Sequence, residues 1–309
     1  MPLPDNWSGR LKLPAVAAPM FLASGPELVI ETCRSGLVGT FPALNQRTTD
    51  GFVEWLEQLN DALTEDDAPY GVNLIVHRSN PRLEADLEQV VKYKVPLVIT
   101  SLGAVPDVVE AVHSYGGLVF HDVINRRHAE KAVEAGVDGI IAICAGAGGH
   151  AGTLSPFALI PEIREIFNGT ILLGGAMSSG AHVAAARALG ADLAYLGTRF
   201  IATQESLVPE AQKQMILDSA AGDVVYTPAI SGVNANFMRA SIIAAGLDPD
   251  DLPPPGKLDM DNEAKAWKTV WSAGQGVGSI RDVPSAADLC RHLREEYRQT
   301  IQHLTQQGG

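Results

Sequence analysis

Between Leu13 and Gly197 the chain repeats one pattern: a short β-branched or apolar run, a loop carrying Gly, Pro or Asn, then an amphipathic stretch ending near glycine. That alternation is how βαβ units read in sequence. Eight runs predict strands, at Pro14–Pro19, Leu37–Pro42, Gly71–Val76, Pro96–Ser101, Gly117–Asp122, Asp138–Cys144, Thr170–Gly174 and Asp192–Gly197. Several are almost continuously apolar, as in Leu97-Val98-Ile99 and Gly139-Ile140-Ile141-Ala142-Ile143. Strands buried on both faces have this composition. Helices are predicted between them at Pro26–Arg34, Gly51–Leu63, Pro81–Tyr93, Pro106–Ser114, Arg126–Ala135, Pro156–Phe167 and Ser179–Leu189. Asn80-Pro81 and Ser155-Pro156 supply starts, and Gly116, Gly136 and Gly190 supply stops.

Right-handed crossovers leave few topologies for such a repeat besides a closed barrel or an open doubly wound sheet. We read it as an α/β (β/α)8 TIM barrel. After Phe200 the rhythm breaks, and residues 201–265, with Pro228, Gly232 and Pro253-Pro254-Pro255-Gly256, show helical stretches but no clear strand. This predicts an inserted helical subdomain covering the active site of a barrel made from residues 1–200 and 266–309. A final amphipathic helix, Ser285–Leu304, closes the barrel as its eighth. With 309 residues, 46% of them hydrophobic, the chain can bury a core of that size.

The formal net charge of -13 argues against nucleic acid as a partner, which requires clustered Lys and Arg. Cys33, Cys144 and Cys290 are too few and too scattered for a disulfide framework or a CxxC metal site, so no metal is expected. Met1-Pro2-Leu3-Pro4-Asp5-Asn6 lacks the layout of a signal peptide, and no apolar run is long enough to span a bilayer. The expectation is a cytoplasmic enzyme with no membrane partner.

Barrel chemistry sits at the C-terminal ends of the strands. The seventh run ends in Gly174-Gly175-Ala176-Met177-Ser178-Ser179-Gly180 and leads into a helix, and the eighth ends in Gly197-Thr198-Arg199. Such barrels seat a phosphate at those two positions, where glycines admit oxygens to the backbone and a helix start offers N–H groups. Either loop alone reads equally as a tight turn; the two together point to a phosphate-bearing ligand. The sixth run ends in Ala145-Gly146-Ala147-Gly148-Gly149-His150-Ala151-Gly152. Its small residues let a flat ring lie against the backbone, and His150 projects from it as an acid/base candidate, with loop capping as the plainer role.

His121, at the end of the fifth run, is a second catalytic and cofactor-binding candidate, with structural hydrogen bonding as the alternative. Its neighbour Asp122 reads as structural and His77 as exposed. Asn73, inside an apolar strand, needs a partner if buried, and a ring edge is one candidate. Cys144 reads as packing, Arg199 as offsetting cofactor charge or forming a salt bridge, and Met20 as core or as a soft surface under a ring.

Taken in order, Ala18-Pro19-Met20, Gly71-Val72-Asn73-Leu74, Ala147-Gly148-Gly149-His150-Ala151-Gly152, Gly174-Gly175, Tyr195-Leu196-Gly197-Thr198-Arg199-Phe200 and Ser272-Ala273-Gly274-Gln275-Gly276 resemble the nitronate monooxygenase family, the 2-nitropropane dioxygenase-like flavoproteins. The likeness spans nearly the whole chain. It implies FMN as cofactor, with Gly175, Gly197 and Thr198 on its phosphate and Met20, Asn73, Ala147, Gly148 and Gly149 against the flavin. Ala18, Pro19, Gly174 and Gln275 belong near the same cofactor, and His150 matches the family's active-site histidine. The activity implied is oxidation of a small-molecule substrate, an alkyl nitronate, with O2. His150 would then take a proton from the neutral nitroalkane or orient the nitronate. Thr100-Ser101-Leu102-Gly103, Ile143 and His121-Asp122 depart from some relatives, which bears on the substrate more than on the flavin.

Two other readings stand beside this one. Related flavin reductases share the barrel and the histidine loop, take hydride from NAD(P)H and reduce quinones or enoyl thioesters. Of another class are a non-redox barrel binding a phosphate ligand, as a lyase or isomerase, and a noncatalytic FMN carrier.

Overall fold

Each of the eight apolar runs forms a strand in the computed structural model, which describes residues 4, 7–103, 106–256 and 267–307. The barrel strands are β1 (Ala15–Ala17), β2 (Val38–Pro42), β3 (Tyr70–Ile75), β4 (Leu97–Ser101), β5 (Leu118–Val123) and β6 (Gly139–Ile143), then, after a short non-barrel strand β7 (Gly149–His150), β8 (Thr170–Gly174) and β9 (Leu193–Leu196). They pair in parallel in the order β1-β2-β3-β4-β5-β6-β8-β9, and β9 closes onto β1 through Ala15↔Ala194, Val16↔Tyr195 and Ala17↔Leu196. The fold is a TIM barrel. β1 is shorter than expected because Pro14 and Pro19 cannot donate to a ladder.

The apolar runs are continuous because each strand is buried twice. Val16, Val38, Leu97, Ile99, Phe120, Ile141, Leu172 and Leu193 fill the barrel interior. Alternate residues such as Val98, Val119, Ile140 and Ala142 meet the surrounding helices. Trp7 joins the interior cluster, fully buried, with its ring 5.6 Å from that of Phe120.

The surrounding helices are α1 (Pro26–Arg34), α2 (Thr49–Ala62), α3 (Leu83–Lys92), α4 (Pro106–His113), α5 (Arg126–Glu134), α6 (Pro156–Ile166) and α7 (Gly180–Ala188). Ser155 caps α6 by accepting from Phe157 N, with Pro156 in the first turn, and Ser179 caps α7 by accepting from His182 N. Asn80 does not cap a helix. It bonds the Ile75 carbonyl and the Arg82 amide instead, and α3 starts two residues later than Pro81. The C-terminal helix Ala286–Gln307 packs on α7 so closely that a Cβ at Gly180 would collide with the Leu293 carbonyl oxygen.

The expectation of a purely helical insert is corrected. Between residues 201 and 256 lie α9 (Glu210–Asp218) and α10 (Arg239–Ala244), following α8 (Thr198–Ile201), but also strands β10 (Val224–Thr227) and β11 (Ala235–Met238). With β7 they form a three-stranded sheet in the order β10-β11-β7, antiparallel throughout. The expected boundary at 265–266 lies outside the described residues. Among the described residues no helix is long and apolar enough to cross a membrane.

Candidate active site

At the C-terminal mouth of the barrel lies a cavity of about 1660 Å³, bordered by the ends of the barrel strands and by parts of the 201–256 segment. Small-molecule sites usually enclose roughly 300–1,000 Å³. This cavity exceeds that range.

Strand register decides which residues face its floor. Asn73 pairs with Ile99, Ile75 with Ser101, and Asp122 with Ile141. Ile99 and Ile141 belong to the barrel interior, so Asn73, Ser101 and Asp122 form one inward polar row across β3, β4 and β5. Asn73 Nδ2 donates to the Ser101 hydroxyl at 2.8 Å and to the Ile99 carbonyl at 3.1 Å. Ser101 Oγ donates in turn to Asp122 Oδ2 at 2.6 Å. The other carboxylate oxygen of Asp122 is buried and makes no hydrogen bond. Burial pushes this carboxyl up to about 6, while the Ser101 hydroxyl and then His150 pull in the opposite direction.

The same alternation turns His121 outward. Its register partners Thr100 and Ile140 lie on the helix-facing side, and its Nδ1 is 2.7 Å from Thr100 Oγ1. Burial, reinforced by nearby His128 and opposed by the Thr100 hydrogen bond, lowers its pKa to about 4. A neutral imidazole bonded to its own sheet results. His121 borders the cavity, but the structure does not bring it into the inward row; Asp122, expected to be structural, stands there instead.

His150 is positioned from outside the barrel. As part of β7 it pairs with Ala235 of β11, and Gly149 pairs with Asn236. Three further hydrogen bonds tie this loop: Gly149 N donates to Ser272 Oγ at 2.7 Å, Ser272 Oγ to the Asn236 carbonyl at 2.6 Å, and Asn236 Nδ2 to the Ala147 carbonyl at 2.6 Å. The His150 ring meets Trp267 edge-on at 5.6 Å. Sequence reasoning missed Asn236 and Trp267. Ser272 lies within a quoted motif but carried no role.

The loops expected to seat a phosphate border the cavity, but not through the start of α7. The leading amides of α7 are already used: Gly180 N donates to Glu296 Oε2 at 2.7 Å and His182 N to Ser179 Oγ at 3.3 Å. An incoming anion thus meets Gly174–Met177 and Gly197–Thr198, which border the cavity, rather than the helix start itself. Gly175 and Ala176 have φ of +143° and +53°, a left-handed turn that makes a concave backbone surface. Four described non-glycine residues have positive φ, and three of them, Leu22, Leu102 and Ala176, border this cavity. Backbone strain is concentrated where a ligand would bind. On the opposite wall, a Cβ at Gly197 would sit 3.9 Å from both Ala18 and Met20, whereas one at Gly148 would meet Gly274 N at 2.8 Å and Thr198 Oγ1 at 3.2 Å. Thr198 Oγ1 accepts from Gly274 N at 2.8 Å, locking three loops together.

Of the expected cofactor residues, Ala18, Pro19, Met20, Asn73, Ala147, Gly148, Gly149, Gly174, Gly175, Gly197 and Thr198 converge on the cavity. Gln275 does not line it. Its exposed side chain lies over Gly146, and its amide donates to the Gly146 carbonyl at 2.8 Å. Arg199 resolves as a salt bridge to Asp282 at 2.6 Å. Cys144 is fully buried, and burial holds its thiol up at about 12.

The model of the nitronate monooxygenase family matches residues 43–296. A nitronate monooxygenase of Paraburkholderia phytofirmans is 30% identical, across 95% of this chain and 94% of that relative. Two solved structures superpose over nearly the whole chain. Nitroalkane oxidase from Streptomyces ansochromogenes has a TM-score of 0.82 and 23% identity, covering 97% of this chain and 100% of the other. FabK from Thermotoga maritima has a TM-score of 0.80 and 23% identity, covering 96% of each. At that identity the two structures speak to the fold alone.

Proposed function

The chain belongs to the nitronate monooxygenase family of oxidoreductases, and from that premise we propose that it binds FMN and oxidises alkyl nitronates with O2. One observation carries the reading: two glycine-containing turns, after β8 and β9, share a cavity with the inward Asn73 row and with the loop that holds His150. FMN when bound supplies electron acceptance from the substrate and return of those electrons to O2.

The residues present fit that group. Left-handed backbone at Gly175-Ala176 and the amides opening α8 at Gly197-Thr198 would hold the phosphate. Ala18, Pro19 and Met20 offer an apolar bed, Ala147, Gly148 and Gly149 a wall without side-chain bulk, and Asn73 a hydrogen-bonding edge. His150 moves the proton: it takes the α-proton of a neutral nitroalkane, or holds the oxygens of a nitronate. Residues 201–256 act as a cover over this site, and their β11 sets the position of His150.

Anaerobic mixing of the FMN-loaded protein with ethyl nitronate and, separately, with NADH and NADPH tests this. Loss of the oxidised flavin spectrum with the nitronate alone supports the monooxygenase. Bleaching by a nicotinamide alone would replace it with an NAD(P)H-dependent reductase of quinones or enoyl thioesters.

A further inference from the structure

The inward row contains an ionisable group to which the reading above gives no task. Asp122 borders the cavity, with Oδ2 held by Ser101 and Oδ1 buried without a partner. It forms no ion pair among the described residues. The flanking strands β4 and β6 present no titratable side chain. The groups around it are His121, turned outward on its own strand, His128 on α5, Tyr195 on β9 and His150 from β7. Among the described residues no cation pairs with it; Arg47, Arg82, Lys131 and Lys268 border the same cavity without bonding it, so its charge adds to theirs in the field on whatever occupies the cavity.

We propose that Asp122 is a specificity-determining residue that selects substrate by charge: with its carboxyl protonated the cavity accepts an anion such as a nitronate, and with it ionised the cavity excludes the anion and admits the neutral nitroalkane. This rests on the nitronate-oxidising reading of the site. A lone buried oxygen favours the neutral acid, whose O–H can donate to a bound anion. An ionised carboxylate in the same place has only acceptors to offer and repels a second negative charge. Its pKa, raised by burial to about 6, sets the switch within a range where an enzyme works.

The test uses nitrate, a planar monoanion, titrated calorimetrically into the FMN-loaded protein from about pH 5 to about pH 8. Affinity is expected to fall by about tenfold per pH unit once the pH exceeds that of Asp122 ionisation. In D122N the affinity is expected to stay level across the same range. A slope that persists in D122N belongs to another group and overturns the proposal, as does wild-type binding that ignores pH or nitrate that binds at no pH. S101A gives a second handle should D122N not fold: it keeps the carboxyl but removes the donor that favours ionisation, so the fall-off should move to higher pH, and an unmoved fall-off overturns the proposal. Nitronate turnover on the same samples separates the two claims. FMN-loaded protein that fails to oxidise nitronates sinks the functional reading while the nitrate slope still reports on Asp122.

Discussion

One step of register separates His121 from Asp122, and that step assigns them opposite environments. A histidine bonded to Thr100 on the helix side of β5 contributes to the sheet; a carboxyl on the axis side contributes to the cavity. Replacing His150 by alanine is expected to leave FMN bound and to lower turnover by roughly 10²–10⁴-fold, the usual worth of a general acid or base. Stopped-flow reduction with the protein spectrum intact checks this, and a variant as fast as wild type removes His150 from the chemistry. His121→Gln should instead change turnover little. Which loops border the cavity was legible in the sequence, because the glycine-rich turns and His150 fall together at the ends of successive strands, although each alone has other uses. The parity of β5 was not. Both faces of a barrel strand are buried and apolar, so Leu118-Val119-Phe120 gives no sign of which side meets the axis, and only the register with Ile99 and Ile141 decides it.

At the level of elements, the eight βα units were readable because each repeats the same double burial. The sheet β10-β11-β7 was not, because its strands are short and its third member is only Gly149–His150, remote in sequence from β11. Pairing, not propensity, makes those two residues a strand. Ser272 is the joint of this assembly, accepting from Gly149 N and donating to the Asn236 carbonyl. Ser272→Ala strips the partner from a partly buried amide, a loss of about 1–3 kcal/mol confined to this loop. Faster hydrogen exchange at Gly149, with lower turnover and an unchanged unfolding midpoint for the barrel, is the expected result; unchanged exchange would show that the loop is held elsewhere. Gly180 tests the opposite end of the structure. A methyl group there meets backbone of the C-terminal helix at Leu293 and Tyr297, so Gly180→Ala should destabilise the protein by about 1–3 kcal/mol or more in urea unfolding, through overpacking.

Across the whole molecule, His121 and Asp122 oppose each other in the dependence of stability on pH. The pKa of His121 is near 4 when folded and 6.5 ordinarily, so between those values the unfolded chain binds a proton that the native state does not. Stability from this source falls as pH drops through that window. Asp122 is near 6 when folded and 3.8 ordinarily, so there the native state holds the extra proton, and stability rises as pH drops. Between about pH 4 and about pH 6 the two slopes act against each other. H121N leaves the Asp122 slope alone, and this variant should gain stability relative to wild type as the solution is acidified through the shared window. D122N leaves the His121 slope alone and should lose stability over the same interval. Half-buried His182, which is also lowered, contributes equally to all three proteins and cancels in the differences, whereas exposed His128 is coupled to His121 and cancels only between wild type and D122N. Urea unfolding midpoints at about pH 4.5 and about pH 6.5 measure the effect. Midpoint differences from wild type that do not change with pH in either variant would mean that neither group titrates as its burial dictates, and the assignment of Asp122 as the inward, ionisable member of β5 would fail with them.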